Sequence, residues 1–212
     1  MKKLITYSVL AMLFGSVAAQ SAASPEDLQQ LKDKLAGLET FQGQFSQQVM
    51  DQQGNELQRG EGNITLAQPL KIRWQQSMPD ETLFIASGNT TYYYDSFAEQ
   101  VTLLDTVKLI DTTPFVLLTT QAAAQWQKYE VEQNDGKYLI APKNKVDSQV
   151  ELLTLEFAAN NQGLSQLQVH DISGQVSTFE FHNSKVNLPV EDSVFEFTVP
   201  DGVVVDDQRN SD

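Results

Sequence analysis

Side chains able to do acid, base or metal chemistry are few and scattered in this sequence. The chain has no cysteine, so a thiolate nucleophile and a cysteine metal site are excluded. No HExxH motif and no carboxylate-flanked pair accompanies its two histidines, His170 and His182. The adjacent acids Asp80-Glu81 and Asp206-Asp207 would point to opposite sides of a strand, which is poor geometry for paired acid–base catalysis. We therefore predict no catalytic residue, no metal ligand and no cofactor site, and the sequence favours a binding protein.

Large apolar side chains at alternating positions indicate what such a protein could bind. The sequence has 11 Phe, 6 Tyr and 2 Trp, spread over short strand-like runs. These residues could fill an ordinary core. A half-barrel covered only by small helices could also leave a cavity, as larger barrels do. Composition alone leaves both possibilities open, a plain core or a site for a lipid or another hydrophobic ligand.

The segment from Pro69 to Phe97 concentrates this pattern. Its alternation predicts three short strands separated by two turns. Alternate residues of a strand share one face of a sheet, and a shift of one residue exchanges the two faces. The predicted apolar face comprises Leu70, Ile72, Trp74, Leu83, Ile85, Tyr92 and Tyr94.

Two helical segments are available to cover that face. Ser24 as N-cap, Pro25 at the first helical position and a leucine stripe predict a helix over 25–37. A short apolar helix is predicted within 111–120, with a further turn near Trp126. This second helical segment is either packed core or a movable cover over a cavity.

About ten short strands with brief turns account for the rest of the chain. They predict an antiparallel meander whose last strand carries Phe195, Phe197 and Val199. A long antiparallel sheet curls, and the two helical segments would then lie on its concave side. We predict a single domain over 24–212, mainly β with short helices.

The N-terminal residues predict export. Lys2 and Lys3 precede an apolar run that is too short for a membrane span, and small residues follow. We predict a signal peptide within residues 1–23, with cleavage after Ala19 or after Ala23, and a periplasmic mature protein. Loss of the two lysines takes the formal charge from -14 to -16. Such an acidic chain repels nucleic-acid phosphates and anionic membrane surfaces.

An ordered set of motifs runs through almost the whole mature chain. They are Phe41-x3-Phe45-x-Gln47, Gly60-x-Gly62, Pro69-x4-Trp74, Pro79-Asp80-Glu81, Gly88-x-Thr90-x3-Tyr94-x2-Phe97-x-Glu99-Gln100, Thr113-Pro114-Phe115 and a closing Phe195-x-Phe197-x2-Pro200-x-Gly202-Val203-x-Val205-Asp206-Asp207-Gln208-Arg209. In this order they resemble LolA, the family of periplasmic outer-membrane lipoprotein carriers of Gram-negative bacteria.

The resemblance implies a strongly curved antiparallel sheet, an incomplete barrel, covered by short helices that enclose an apolar cavity. It implies a monomeric carrier that accepts lipoproteins from the inner-membrane LolCDE transporter and delivers them to the LolB receptor. Each buried methylene contributes about 0.8 kcal/mol, so an acylated protein needs such a shelter to cross water. A periplasmic sensor or regulator domain that binds mislocalised lipoproteins or another hydrophobic ligand is the alternative.

The resemblance also assigns roles to residues. The residues of the predicted apolar face would contact the acyl chains from the sheet. Phe115, Leu117 and Leu118 would contact them from the lid. Ile72 would lie at the mouth of the cavity and contact partners. Gln68 stands where the family usually has an arginine that holds the lid closed. A neutral amide lacks charge assistance, so the resemblance predicts a weaker latch at Gln68.

Overall fold

A computed structural model of the chain describes residues 23–109, 114–146, 148–159 and 163–209. The predicted cleavage point after Ala19 and nearly all of the predicted signal peptide lie outside these residues. The described part of the chain forms one sheet of twelve strands with five helical segments packed on it.

The strands are short and follow the predicted alternation. They are β1 (Thr40–Met50), β2 (Glu56–Ala67), β3 (Lys71–Met78), β4 (Thr82–Ser87), β5 (Thr90–Asp95), β6 (Gln100–Asp105), β7 (Tyr129–Asn134), β8 (Lys137–Pro142), β9 (Val150–Phe157), β10 (Leu164–Asp171), β11 (Val176–Val186) and β12 (Val204–Asp207). Glycine with positive φ occupies several of the turns, as at Gly54, Gly88 and Gly136. The turn residues therefore located the hairpins correctly.

The strand order is β12-β6-β5-β4-β3-β2-β1-β11-β10-β9-β8-β7. It consists of two antiparallel meanders joined at β1 and β11, and not of the single run of about ten strands that the sequence predicted. Because β6 and β7 lie near opposite ends of the sheet, the connection over 106–128 must cross one face of it. That connection carries three helical segments, α2 (Thr106–Leu109), the 3₁₀ helix η1 (Pro114–Thr119) and α3 (Ala123–Trp126).

The N-terminal helix α1 (Pro25–Ala36) forms as predicted. The Ser24 hydroxyl accepts a hydrogen bond from the Asp27 backbone N–H at 3.0 Å, which caps the first turn. Leu31 and Leu35 are fully buried against the sheet. The helix ends before Gly37, whose N–H donates to the Asp33 carbonyl at 3.1 Å.

One face of the sheet, called here the inner face, packs against α1, η1 and α3. Val116, Leu117 and Leu118 of η1 and Trp126 of α3 are buried in one core. The inner-face residues of that core include Phe41, Phe45, Ile64, Leu66, Ile72, Tyr138, Leu153, Leu155, Leu167 and Phe181. The predicted apolar helix therefore exists as η1, while Asp111, its proposed start, lies outside the described residues.

The predicted last strand is wrong. Phe195 ends a second 3₁₀ helix, η2 (Asp192–Phe195), and the chain continues to Pro200 without pairing in the sheet. The final strand is instead β12, which lies parallel to β6. Phe195 and Phe197 alternate because one side of an extended segment rests on the sheet. Alternation shows one-sided contact, and it does not show strand pairing.

Candidate functional site

The strand register decides which of the predicted apolar residues lie together. Ile72 of β3 lies opposite Ala86 of β4, and Trp74 lies opposite Phe84. Residues directly opposite each other share a face, so Phe84 lies on the inner face with Ile72 and Trp74. Ile85 lies opposite Arg73 and therefore on the other, outer face.

The next strand continues the same division. Tyr93 lies opposite Phe84 on the inner face, whereas Tyr92 lies opposite Ile85 and Tyr94 opposite Leu83. The prediction of one shared apolar face is therefore wrong for Leu83, Ile85, Tyr92 and Tyr94. Both alternating sets of β4 and β5 are apolar or aromatic, and a two-residue period cannot tell which set faces inward.

The outer face is covered by residues 191–200, called here the C-terminal strap. Phe195 is 2% exposed, and the Phe197 ring lies 5.5 Å from the Tyr92 ring and 5.8 Å from the Tyr94 ring. Polar contacts hold the strap as well. Arg73 Nη1 donates to the Val194 carbonyl at 3.3 Å, and Lys71 Nζ lies 2.7 Å from an Asp192 carboxylate oxygen. Leu83, Ile85, Tyr92 and Tyr94 therefore belong to a second core on the outer face.

Three aromatic rings meet on the inner face. Trp74 lies 4.4 Å from Phe45 and 4.9 Å from Phe179, and the two phenylalanine rings are 5.9 Å apart. We call these three residues the aromatic trio. Gly62 makes room for it, because a Cβ there would lie 2.6 Å from Phe45 Cζ. The Gly60-x-Gly62 motif thus has a steric reason on the inner face.

Exposure of the inner face rises from the helices toward β5. Ile72 is 0% exposed, Trp74 and Phe84 are half-buried, and Tyr93 is 39% exposed. Burial also raises the pKa of the Tyr93 hydroxyl, with the Asp95 carboxylate as a second cause. Trp74, Phe84 and Tyr93, on three neighbouring strands, therefore form the accessible aromatic part of the inner face. The sequence did not predict Phe84 and Tyr93 as inner-face residues, because the prediction placed the adjacent residues of the same strands on that face.

Gln68 joins the sheet to both helical covers. Its Nε2 donates to the Leu35 carbonyl of α1 at 3.2 Å and lies 3.5 Å from the Leu118 carbonyl of η1. The Leu70 backbone N–H also donates to the Thr119 carbonyl at 3.0 Å. Together α1 and η1, which we call the lid, are held on the inner face where β2 ends. Gln68 Oε1 is buried without a hydrogen-bond partner among the described residues.

Asn187 holds the other side of the segment that joins α1 to β1. Its Oδ1 accepts from the Glu39 N–H and its Nδ2 donates to the Gly37 carbonyl, each at 2.9 Å. Its own backbone N–H donates to the Thr40 carbonyl at 2.9 Å. Sequence reasoning missed Asn187 because it lies about 150 residues from its partners, and no local pattern marks such a contact.

The structure agrees with some of the predicted positions around the lid and contradicts others. Leu117 and Leu118 of the lid are buried, at 0% and 4% exposure, and the side chain of Phe115 lies outside the described atoms. Leu70 packs on the core but precedes β3, with a left-handed φ of 53°. Placing Ile72 at the mouth is wrong, because it is wholly buried beside η1.

Little space remains beneath the lid among the described residues. The cavity between α1, η1 and the end of β2 measures about 10 Å³ and is bordered by Leu35, Phe41, Leu66, Gln68 and Leu118. This volume is about the smallest that holds one water molecule. Anything as large as an acyl chain must therefore displace part of the lid to reach the buried inner face.

A family model described as Outer membrane lipoprotein carrier protein LolA matches residues 36–198. The chain belongs to the LolA family. The match begins at the end of α1 and continues into the C-terminal strap, so it contains the inner face, Gln68, η1 and Asn187.

Individual relatives agree with this assignment. The chain is 51% identical over 212 residues to an outer-membrane lipoprotein carrier protein of Pseudoalteromonas translucida, covering 100% of both chains. It is 38% identical to the protein of the same name from Vibrio parahaemolyticus, covering 96% of each. Among solved structures, an uncharacterized conserved protein from Thermus thermophilus has a TM-score of 0.50 at 8% identity, covering 86% of this chain and 98% of that chain. That likeness concerns the fold alone.

The remaining surface of this LolA-family chain offers little chemistry. Ser46 Oγ and His182 Nε2 lie 3.1 Å apart, but both side chains are exposed on the outer face of β1 and β11. Within the described ranges, no group of three or more His, Cys, Asp or Glu side chains could hold a metal ion. No helix in those ranges is long and apolar enough to cross a membrane.

Proposed function

We propose that this protein carries outer-membrane lipoproteins across the periplasm by sheltering their acyl chains on the inner face. The observation that carries the proposal is a largely apolar inner face held under a lid by a few neutral hydrogen bonds. The names of the relatives and the family description point to the same cargo. No covalent step is required, since the task is to bind and to release.

The energetics favour a movable lid. Transferring acyl chains from water stabilises them by about 0.8 kcal/mol for each methylene, so a lipoprotein with two or three chains would almost never leave a membrane unaided. The carrier gives back some of that free energy, because opening exposes Leu31, Leu35 and Leu117 of the lid. Closing the lid again on release recovers this burial, which lets the carrier bind cargo less firmly than an acceptor does.

Within this proposal, the half-buried Trp74 and Phe84 receive the chains first, with Ile72, Leu117 and Leu118 reached after the lid moves. Leu70 borders this path and Gln68 acts as the latch. Leu83, Ile85, Tyr92 and Tyr94 support the sheet from its outer side. The donor is an inner-membrane transporter of the LolCDE type and the acceptor is a receptor of the LolB type.

The exported form completes the proposal. The signal peptide lies within residues 1–23 and is cleaved after Ala19 or after Ala23, leaving one lipoprotein-carrier domain that ends at 212. Cleavage after either residue leaves Ser24 in place, and its backbone N–H donates to the Val131 carbonyl of the edge strand β7 at 3.2 Å. Both products therefore keep the contact that holds the start of α1.

The test is transfer of a labelled lipoprotein from spheroplasts. Adding the purified protein should release the lipoprotein into the soluble fraction as a one-to-one complex. Outer membranes added afterwards should take the lipoprotein up from that complex. Mass spectrometry of the soluble complex should find the acylated protein. Absence of release with a folded, monomeric preparation would contradict the proposal, as would retention of the lipoprotein after addition of outer membranes.

A further inference from the structure

Gln47 is a polar side chain on the inner face, beside the aromatic trio. It lies two residues after Phe45 on β1, so the two side chains share a face. Its strand partners are Gly60 on β2 and Phe179 on β11. An amide group thus lies next to two aromatic residues of the inner face, Phe45 and Phe179.

The backbone beside Gln47 is shaped to receive its amide. A Cβ on Gly60 would lie 2.8 Å from Gln47 Oε1 and 3.0 Å from the Met78 carbonyl, so a side chain at residue 60 would push the Gln47 amide aside. The first half of the Gly60-x-Gly62 motif therefore makes room for Gln47, as the second half does for Phe45.

Gln47 Oε1 is nevertheless buried without a hydrogen-bond partner among the described residues. Buried acceptors are nearly always bonded, because an unmet one loses the hydrogen bond that it makes in water. An unmet acceptor beside the aromatic trio can be met by a donor on a molecule that the protein binds there.

The surroundings indicate where on a ligand that donor would be. On the same face, Gln76 lies opposite Gly62, and Thr82 lies opposite Gln76. Polar side chains thus border the aromatic trio on this side, while apolar side chains border it toward the lid. A ligand with acyl chains on the trio would place its polar linkage at Gln47.

We propose that Gln47 Oε1 accepts a hydrogen bond from an amide N–H at the acylated end of the cargo polypeptide. The inference rests on the proposed function and adds a basis for choosing cargo. A lipoprotein carries amide N–H groups next to its acyl chains, whereas a phospholipid such as phosphatidylglycerol carries only esters there. Gln47 therefore favours acylated polypeptides over the bulk lipid of the membrane.

The experiment compares two probes with matched acyl chains, a diacylated lipopeptide and phosphatidylglycerol. Each displaces a fluorescent fatty acid from the full mature protein. In Gln47→Leu we expect the preference for the lipopeptide to fall about 5- to 50-fold, the range for loss of a buried hydrogen bond. Gln47→Met should behave alike, which covers the case in which the branched side chain prevents folding.

Gln48→Leu is the matched control, because Gln48 points outward and its Nε2 donates to Glu56 Oε2 at 2.6 Å. It should leave the preference unchanged. An unchanged preference in both folded Gln47 variants would overturn the inference and assign the acceptor to a bound water, with carriage itself intact. Failure of the unaltered protein to bind the lipopeptide would overturn both this inference and the proposed function.

Discussion

Gln68 Nε2 lies 3.2 Å from the Leu35 carbonyl oxygen and joins the end of β2 to the last turn of α1. The same nitrogen is 3.5 Å from the Leu118 carbonyl, at the outer limit of a hydrogen bond. One neutral amide therefore contacts both parts of the lid and favours one of them. The latch is weak by construction, which suits a cover that must open for each cargo molecule.

Replacing Gln68 by arginine should strengthen the latch. A guanidinium donates to two carbonyls at once, and charge assistance roughly doubles the strength of each bond. We expect Gln68→Arg to slow lipoprotein transfer to the receptor by about fivefold. Gln68→Leu, whose side chain donates no hydrogen bond, should instead speed lipoprotein transfer to the receptor. Identical transfer kinetics in all three proteins would sink the assignment of a latch.

Ile72→Glu tests the corrected position of Ile72. Because Ile72 is 0% exposed, a carboxylate there would be buried without a partner, and we expect unfolding free energy to fall by about 4 kcal/mol or more. Urea denaturation measures this loss. Near-normal stability combined with a selective failure to accept cargo from the inner membrane would instead return Ile72 to the mouth.

Asn187→Ala should loosen the lid where α1 joins β1. The substitution removes the side-chain hydrogen bonds to Glu39 and Gly37, each of which contributes about 1 kcal/mol. We expect faster amide exchange in α1 and little change in the strands far from it.

Asn183→Ala is the matched control for that experiment. Asn183 lies on β11, four residues before Asn187, and has a similar positive φ of 51°. Its Nδ2 donates instead to Gln44 Oε1 on β1. Faster exchange in α1 for Asn183→Ala as well, to an equal extent, would mean that Asn187 has no special part in holding the lid.

The end of β12 gives a prediction for acid conditions. Hydrogen bonds from Arg209 lower the pKa of Asp207 to about 2 from its ordinary 3.8. A lowered folded-state pKa contributes stability that is present above the ordinary value and is lost as pH falls through about 2. Carbon NMR should show Asp207 titrating near 2, and the pKa should rise toward the ordinary value in Arg209→Ala, which keeps only the hydrogen bond from the backbone N–H of residue 209. Equal values in both proteins would exclude the ion pair.

The sequence predicted the elements better than their arrangement. Ser24 and Pro25 set the start of α1, and glycine-containing turns set the hairpins, because these signals act over a few residues. Which face of β4 and β5 points inward was not predictable from alternation, since both faces carry large apolar or aromatic side chains. The outward residues Ile85, Tyr92 and Tyr94 are apolar or aromatic because the strap, with Phe195 and Phe197, packs over the outer face.

Long-range relationships account for the rest. The parallel pairing of β12 with β6 and the contact of Asn187 with Gly37 each join residues more than 100 positions apart in the chain. The inward position of Gln47 likewise depends on strand pairing. Its motif was visible in the sequence, but its meaning depends on Gly60, which faces it across the strand pair.

Acyl-chain contact with the inner face is tested most directly by two neighbouring residues of β4, Leu83 and Phe84. Each is replaced in turn by the photoreactive p-benzoylphenylalanine, and the carrier is irradiated after loading with a labelled lipoprotein. Both side chains are half-buried, so exposure does not favour either site, and thermal melting checks that both proteins fold. We expect adducts on the acyl chains from position 84 and almost none from position 83. Adducts from position 83 equal to or above those from position 84 would contradict carriage on the inner face.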